Sequence, residues 1–597
     1  MGAIHYYEKE RVFKLDTPHT SYLIGIVDEE GFLGHMYYGA KITDYDVRAL
    51  MRTGEAPFVP SQNNRDRSSF LDAFPMEYPG HGVGDYRESA ISVSDKSGNT
   101  AVQPLYREHK IYAGKPGLPG LPATFGSEEE CETLEIVLAD EVLDLTVTLY
   151  YTAFCDVDVI ARSVRVTNHA KEPVYLTKVF SAALDLDAED YRMLTLHGSW
   201  ARERQIEYRQ IGYGKQSVGS CRGESSHQEH PFVALVSANA GQEQGRVYGF
   251  HFVYSGNFLA QVEKNQFDSL RVVMGIHPQD FKWELKQGET FTAPEVVLTY
   301  SDAGLGGMTR TLHDLYRKHL IRSPYKDRER PVLINNWEAT YFDFDTEKLL
   351  AIAREAKKSG IEMLVMDDGW FGHRNDDNTS LGDWQVNEQK ITGGLKRLVD
   401  QVNEIGLEFG IWFEPEMISP DSDLYRTHPD WAIALPGRTP CRSRNQYVLD
   451  LSRKEVRDYA YECVASILRS ANIAYVKWDM NRQLTDLGSS ALPVENQGEL
   501  LHRYVLGVYE LQERLITEFP ELLLENCSGG GARFDPGMLY YSPQIWCSDD
   551  MDAIERLKIQ EGTALLYPLS AIGAHVSDCP NHTVGRATPF ETRGNVA

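Results

Sequence analysis

Several features are missing from this chain of 597 residues, and each absence excludes a class of protein. No run approaches about 18 consecutive apolar residues, which argues against a membrane span. The opening residues, MGAIHYYEKE, lack the basic and apolar segments of a secretory signal peptide. The eight cysteines are scattered without any C-x-x-C pair, a usage typical of reduced thiols and unlike a disulfide scaffold or a zinc cluster. We therefore expect a cytoplasmic protein.

Basic residues are in short supply as well. Sixty Lys and Arg stand against 87 Asp and Glu, and the formal charge of −27 would repel nucleic acid and anionic membranes. The hydrophobic and charged fractions, 42% and 25%, are typical of globular proteins. A chain of this length exceeds one ordinary core, so we expect at least two domains.

The first half of the chain has the pattern of a β protein. Apolar residues alternate with polar ones over 134–149 and 161–167, and later runs at 246–254 and 270–274 are aromatic and β-branched. Many strands without helical crossovers predict a large antiparallel sandwich. A helix near 308–316 follows, and the polar segment 321–330 marks the predicted boundary between domains 1–328 and 329–597.

Strands and helices alternate after Pro331, with short connections, which requires parallel strands and crossover helices. We count seven strand-like runs, at 332–335, 363–366, 409–413, 473–478, 522–525, 544–547 and 570–576. Most of them end in charged or aromatic residues, as in a (β/α)8 barrel. A doubly wound open sheet is the alternative, but no G-x-G-x-x-G follows the first strand. No convincing eighth strand precedes Ala597, so we expect a barrel that lacks its last strand.

The predicted strand ends are rich in carboxylates and aromatic rings and contain no metal-binding histidines. Neither a metal nor a phosphate-bearing cofactor is therefore expected. Paired carboxylates beside stacking rings suit cleavage of a glycosidic bond. Lys477 and Asp479 share one face of their strand, so the ammonium group would favour an anionic Asp479, although a structural ion pair is an equal alternative. Asp549 could be a proton donor or merely a helix cap. Residue chemistry alone also leaves Glu414 and Glu416 open as the catalytic pair.

A set of ordered motifs closely resembles the bacterial α-galactosidases of glycoside hydrolase family 36. These motifs are NNWEATYFDF, LVMDDGWFGHR, LGDWQVN, FGIWFEPEM, YVKWDMNR, ENCSGGGARFD, QIWCSDDMDAIERL and GAHVSDCPNHTVGRATPFETR. The resemblance implies an N-terminal β-supersandwich followed by a TIM barrel. It also implies a retaining double displacement on melibiose- and raffinose-type galactosides. An α-N-acetylgalactosaminidase, a galactosyl transferase and a non-catalytic galactoside-binding protein are the alternatives.

The resemblance assigns roles motif by motif. Asp479 resembles the nucleophile and Asp549 the acid/base. The residues that resemble the sugar pocket are Trp337, Asp367, Asp368, Trp412, Arg444, Lys477, Cys527 and Gly530. Glu414 and Glu416 then become supporting residues.

The resemblance also bears on assembly and length. It implies a homo-oligomer, often a tetramer, in which a loop such as YPGHGVGDYR at 78–87 reaches a neighbouring pocket. Family members continue into a last barrel strand and a C-terminal β-sandwich, so a C-terminally truncated chain with impaired folding or activity is expected.

Overall fold

The computed structural model of the chain describes residues 3–27, 30–43, 47–50 and 71–597. No helix in these ranges combines the length and the apolar character needed to cross a bilayer.

The described part of the N-terminal half consists mainly of strands, with one turn of 3-10 helix at Val47–Leu50. In chain order they are β1 (Ile4–Tyr7), β2 (Val12–Asp16), β3 (Thr20–Val27), β4 (Phe32–Ala40), β5 (Ile91–Ser94), β6 (Leu105–Ala113), β7 (Cys131–Asp140), β8 (Leu145–Phe154), β9 (Val159–Asn168), β10 (Val174–Asp187), β11 (Tyr191–Ser199), β12 (Arg202–Gln210), β13 (Gly214–Ser220), β14 (Phe232–Ser237), β15 (Val247–Val253), β16 (Phe258–Lys264), β17 (Ser269–Ile276), β18 (Trp283–Leu285), β19 (Thr290–Thr292) and β20 (Glu295–Ser301).

These strands form antiparallel sheets of four, six and ten strands within the described ranges. The ten-stranded sheet runs β12-β11-β14-β15-β20-β9-β8-β7-β6, with β19 added on β9. Strand β10 of the six-stranded sheet contacts β9 and β20 of the ten-stranded one, so the two sheets pack face to face. The predicted antiparallel sandwich is confirmed.

The sequence explains these strands locally. In β7, the buried residues Leu134, Ile136 and Leu138 alternate with half-buried ones such as Glu135 and Val137, so one face of the strand meets the core. The turn into β8 is closed by Asp140, whose Oδ1 accepts hydrogen bonds from the backbone N–H groups of Val142 and Leu143, each at 3.0 Å.

A linking helix, α1 (Gly304–His319), follows the sandwich. It buries Met308, Leu312, Leu315 and Tyr316 on one face and packs against β15 and β20. The helix predicted near 308–316 is therefore confirmed.

The C-terminal half alternates strands and helices. The further strands are β21 (Leu333–Asn335), β22 (Met363–Met366), β23 (Glu408–Phe413), β24 (Met417–Ile418), β25 (Tyr447–Val448), β26 (Tyr475–Trp478), β27 (Leu523–Asn526) and β28 (Gln544–Ile545). The further helices are α2 (Trp337–Thr340), α3 (Thr346–Lys358), α4 (Leu395–Ile405), α5 (Asp423–Thr427), α6 (Lys454–Ser470), α7 (Leu500–Glu518), α8 (Pro536–Leu539), α9 (Ala553–Ala564) and α10 (Phe590–Val596).

The parallel sheet has the strand order β21-β22-β23-β26-β27-β28, so each strand lies beside the one before it in the chain. The strands are short, and the central ones are largely buried on both faces, as MLVM in β22 illustrates, whereas β21 at the edge is only half-buried. This curled sheet is the incomplete barrel that the alternation predicted, and the doubly wound alternative was wrong.

The prediction of a seventh strand at 570–576 was wrong. Leu569–Ala571 forms one turn of 3-10 helix, and only Ile572 makes a parallel bridge to β28, at Ile545. Strand β28 is itself only two residues long, so it offers little edge to pair with. The chain then lines the barrel interior at Gly573–Val576 instead of extending the sheet.

Candidate active site

A cavity of about 1600 Å³ lies inside the curled sheet, and its lining includes residues at the carboxyl ends of the strands as well as Pro331 and Ile361 near the amino ends of β21 and β22. Aromatic, acidic and basic side chains line it, from the barrel and from the N-terminal sandwich. Of the ten predicted site residues, nine line this one cavity: Trp337, Asp367, Asp368, Trp412, Arg444, Lys477, Asp479, Cys527 and Asp549. The topology brings them together because parallel strands end at the same edge of the sheet.

Asp479 follows the last residue of β26 and is almost completely buried. Its Oδ2 accepts hydrogen bonds from Trp412 Nε1 at 3.1 Å and from Asn481 Nδ2 at 2.8 Å, and its Oδ1 accepts one from the Met480 backbone N–H at 2.9 Å. Three donors therefore hold the carboxylate in one orientation.

Positive charge keeps Asp479 ionised. Burial alone would raise the pKa of Asp479, but the charges of Lys477 and Arg444 outweigh it and hold that pKa below its ordinary value. The Lys477 ammonium lies 3.3 Å from Asp367 Oδ2, so its salt bridge is with the residue after β22, two strands away in the sheet, rather than with Asp479. Asp479 is thus an anion beside two cations, without the direct ion pair that a purely structural role for Lys477 and Asp479 would require.

Glu414 lies behind Asp479 and is fully buried. Its Oε1 accepts hydrogen bonds from Gln446 Nε2 at 2.5 Å and from the Asn481 backbone N–H at 2.6 Å. Within the described ranges its Oε2 has no hydrogen-bond partner. Burial, followed by the negative charge of Asp479, raises the pKa of Glu414 to about 7. Glu414 therefore holds Asn481 in place rather than facing the cavity, which it does not line.

Glu416 has a different environment, below the cavity. It forms a buried ion pair with Arg533, at 2.6 and 3.0 Å, and accepts further hydrogen bonds from Trp478 Nε1 and the Tyr504 hydroxyl. With every oxygen engaged, Glu416 supports β26 and is closed to a substrate.

Asp549 lies in the loop after β28, with its carboxyl group in the cavity. Trp546 Nε1 donates to its Oδ1 at 3.1 Å, and Trp200 Nε1 donates to its Oδ2 at 3.0 Å. The alternative role as a helix cap falls to another residue, because Asp552 accepts from the backbone N–H groups of Ile554 and Glu555 at the start of α9.

The Asp367–Asp368 pair follows β22. Asp367 accepts hydrogen bonds from Asn335 Nδ2 at 2.5 Å and Lys477 Nζ at 3.3 Å. Both oxygens of Asp368 accept from the Arg374 guanidinium, at 2.8 and 2.9 Å. Both carboxylates are thus rigidly held at the cavity wall.

Gly530 is the one predicted site residue that does not line the cavity. It has a φ of +86°, and a Cβ there would stand 2.8 Å from the backbone N of Asp549. Its neighbour Cys527 does line the cavity, and burial, followed by the nearby charge of Asp479, raises the pKa of its thiol. Gly530 therefore gives space to the loop that carries Asp549 and does not itself face the cavity.

Sequence reasoning missed the contribution of the N-terminal sandwich to this cavity. Trp200, Glu224 and His227 line it, and His227 Nε2 lies 2.6 Å from the Gly529 carbonyl oxygen. No local signal distinguishes these residues, because their partners are about 300 positions away in the chain. Asn481 and Trp546 were also missed, although they stand inside the motifs quoted above. In the described residues, no cluster of three or more His, Cys, Asp and Glu side chains could hold a metal ion.

Comparison with known proteins agrees with the fold and the cavity. Residues 31–286 match the model of the glycosyl hydrolase family 36 N-terminal domain, and residues 290–597 match the Melibiase model. α-Galactosidase AgaA of Geobacillus stearothermophilus is 52% identical over 597 residues, which cover the whole chain and 82% of AgaA. α-Galactosidase Mel36A of Lactobacillus acidophilus is 48% identical over 598 residues, with the same two coverages.

A crystal structure of an AgaA variant in complex with raffinose is similar over 98% of this chain and 82% of that one, with a TM-score of 0.96. Fold, cavity and similarity together define a glycoside hydrolase. The chain belongs to glycoside hydrolase family 36.

Proposed function

We propose that this family 36 α-galactosidase hydrolyses terminal α-D-galactosyl groups with retention of anomeric configuration, with Asp479 as nucleophile and Asp549 as acid/base. The observation that carries the proposal is the contrast between the two aspartates in one cavity. Asp479 is buried, held by three donors and kept anionic by Lys477 and Arg444, whereas Asp549 is partly open and held by two indole N–H groups.

The first step forms a covalent intermediate. An Asp479 oxygen attacks the anomeric carbon while Asp549 gives its proton to the glycosidic oxygen, and the bond to the leaving group breaks. In the second step Asp549 takes a proton from water, and the oxygen of that water displaces Asp479. Retention requires the two carboxyl groups to lie about 5–5.5 Å apart.

The carboxylates of Asp367 and Asp368 are the proposed acceptors for the 4- and 6-hydroxyl groups of galactose. They are held by cations and amide groups, so their orientation is fixed before the sugar binds. Glucose, with an equatorial 4-hydroxyl, would leave such a buried acceptor unpaired, which costs about 1–3 kcal/mol or more. Trp337, Trp412 and Arg444 complete the proposed pocket.

Raffinose-type oligosaccharides are the proposed substrates, since a relative with 52% identity is described in complex with raffinose and another structure of it in complex with stachyose. We further propose that the chain acts in the cytoplasm and forms a homo-oligomer. Light scattering of the purified protein tests the oligomeric state. In that assembly we propose that the loop 78–87, in the N-terminal half, reaches the pocket of a neighbouring subunit.

Azide rescue tests the nucleophile. Asp479→Gly should reduce turnover of a nitrophenyl α-galactoside by several powers of ten while leaving the fold intact. Added azide should restore release of nitrophenol and give β-galactosyl azide, because azide enters from the face that Asp479 vacated. The buried Glu416→Gln variant is a control that azide should not rescue. An α-galactosyl azide product, or no rescue at all, would contradict the assignment.

A further inference from the structure

The hairpin β11–β12 of the N-terminal sandwich reaches into the catalytic cavity. Its tip carries Trp200, whose side chain is about half exposed and whose Nε1 donates to Asp549 Oδ2 at 3.0 Å. Trp546 holds the other oxygen. The two indole groups therefore fix the plane of the carboxyl group, and one of them comes from a different domain.

Arg204 anchors this hairpin to the barrel. Its Nη1 donates to the Gly531 carbonyl oxygen at 2.9 Å, its Nε to Thr563 Oγ1 at 2.7 Å, and its Nη2 to the Cys547 carbonyl oxygen. Gly531 and Cys547 belong to the chain segments after β27 and β28, and the second segment leads directly to Asp549. Arg204 has a φ of +51°, a strained conformation for a residue with a side chain, so the tip is held in one shape by its contacts.

Glu203 packs beside Gly530, next to the backbone of Asp549. It is fully buried, and its Oε1 accepts from the Gly531 backbone N–H at 3.4 Å. Oε1 of Glu203 and the backbone N of Asp549 both lie 2.8 Å from the point where a Cβ on Gly530 would stand. The distance between Glu203 Oε1 and the Asp549 backbone N is therefore at most twice 2.8 Å.

The electrostatic surroundings of Glu203 link it to the same loop. Burial raises the pKa of the Glu203 carboxyl group. Arg204 and the Ser548 hydroxyl act in the opposite direction, and the charge of Asp549 raises the same pKa further. The Cys547 thiol also lies within reach of its charge. Glu203 therefore contacts the acid/base loop through both packing and charge.

We infer that the tip of this hairpin, formed by Trp200, Glu203 and Arg204, positions the carboxyl group of Asp549 for proton transfer, so that the N-terminal sandwich supplies part of the acid/base apparatus. This inference rests on the proposed role of Asp549. A general acid works only within hydrogen-bond reach of the leaving oxygen. A displacement of about 1 Å can cost about a hundredfold in rate. The three residues are positioning residues, acting through Asp549.

The leaving group provides the test. Trp200→Phe keeps an aromatic ring and removes the N–H group that holds Asp549. Its kcat/KM for methyl α-galactoside, which reports the first step and whose leaving group needs a proton, should fall by about tenfold or more. Its kcat/KM for a dinitrophenyl α-galactoside, whose leaving group needs none, should change by less than about twofold. Glu203→Gln should show the same selective loss.

Two further variants separate the possible failures. Tyr208→Phe, on the exposed side of β12, is the matched control and should leave both rates unchanged. Asp549→Asn should show the selective loss in its strongest form. If Asp549→Asn shows this loss but Trp200→Phe lowers kcat/KM for both substrates equally, the inference is overturned. If Asp549→Asn itself lowers kcat/KM for both substrates equally, the proposed function fails, and this inference fails with it.

Discussion

Replacing Arg533 by methionine tests whether the buried ion pair below the cavity holds the catalytic strand β26 in place. Arg533 and Glu416 are 3% and 0% exposed, and their two hydrogen bonds measure 2.6 and 3.0 Å. Trp478 Nε1 and the Tyr504 hydroxyl donate to the same carboxylate, at 2.8 and 2.6 Å. Trp478 immediately precedes Asp479, so the ion pair lies one residue from the proposed nucleophile.

The magnitude follows from what remains after the substitution. Arg533→Met leaves a buried carboxylate with two neutral donors and no counter-charge, which costs about 3–5 kcal/mol. With an unfolding entropy of about 2.1 cal/mol/K per residue over the 597-residue chain, the melting temperature should then fall by only about 2–4 °C. The double variant Glu416→Gln/Arg533→Met removes both charges, and we expect it to lose less than the sum of the single variants by about 1–3 kcal/mol.

Unfolding in urea, followed by tryptophan fluorescence, measures these differences. Lys396→Met is the matched control, because Lys396 forms an exposed pair with Asp400 on α4 and should cost no more than about 0.5 kcal/mol. The reasoning is refuted if Arg533→Met stays within about 1 kcal/mol of the unsubstituted protein, or if the control loses as much.

Other predictions concern pH and backbone space. Lys477 lowers the pKa of Asp479, which must be ionised to attack, so activity is lost as pH falls through that pKa. Lys477→Met should therefore move the acidic limb of the pH profile of kcat/KM to higher pH. An acidic limb that does not move would contradict this. Glu414, with a pKa of about 7, favours the folded state below the unfolded value near 4.5, and this contribution is lost as pH rises through 7. We therefore expect the free energy of unfolding of Glu414→Gln in urea, relative to that of the unsubstituted protein, to rise by a few kcal/mol at most between about pH 4 and 8. A difference between the two proteins that does not change with pH would argue against this. Gly530→Ala would press a Cβ to 2.8 Å from a backbone N and should reduce kcat at least tenfold, whereas Gly585→Ala, at a similar positive φ with no atom within 4 Å, should keep full activity.

The sequence determined the architecture and most of the cavity wall. Alternation of period two predicted the sandwich, and the strand–helix rhythm after Pro331 predicted parallel strands whose ends converge. Asp367, Lys477 and Asp479 could be predicted because each lies within two residues of a strand's carboxyl end, so local pattern alone fixes the edge at which it lies. The run at 570–576 misled the same reasoning, since apolar residues can face a cavity as well as a sheet.

Tertiary structure alone decided how these groups are tuned. Which of Glu414 and Asp479 is the anion depends on burial, on Lys477, which the sequence indicated, and on Arg444, which lies on a loop 35 positions before the aspartate in the chain. Trp200 meets Asp549 across 349 positions, through contacts between two domains. Periodicity and spacing report only what neighbouring residues do, whereas charge and hydrogen bonding act through space, and for that reason the folded chain was needed to assign them.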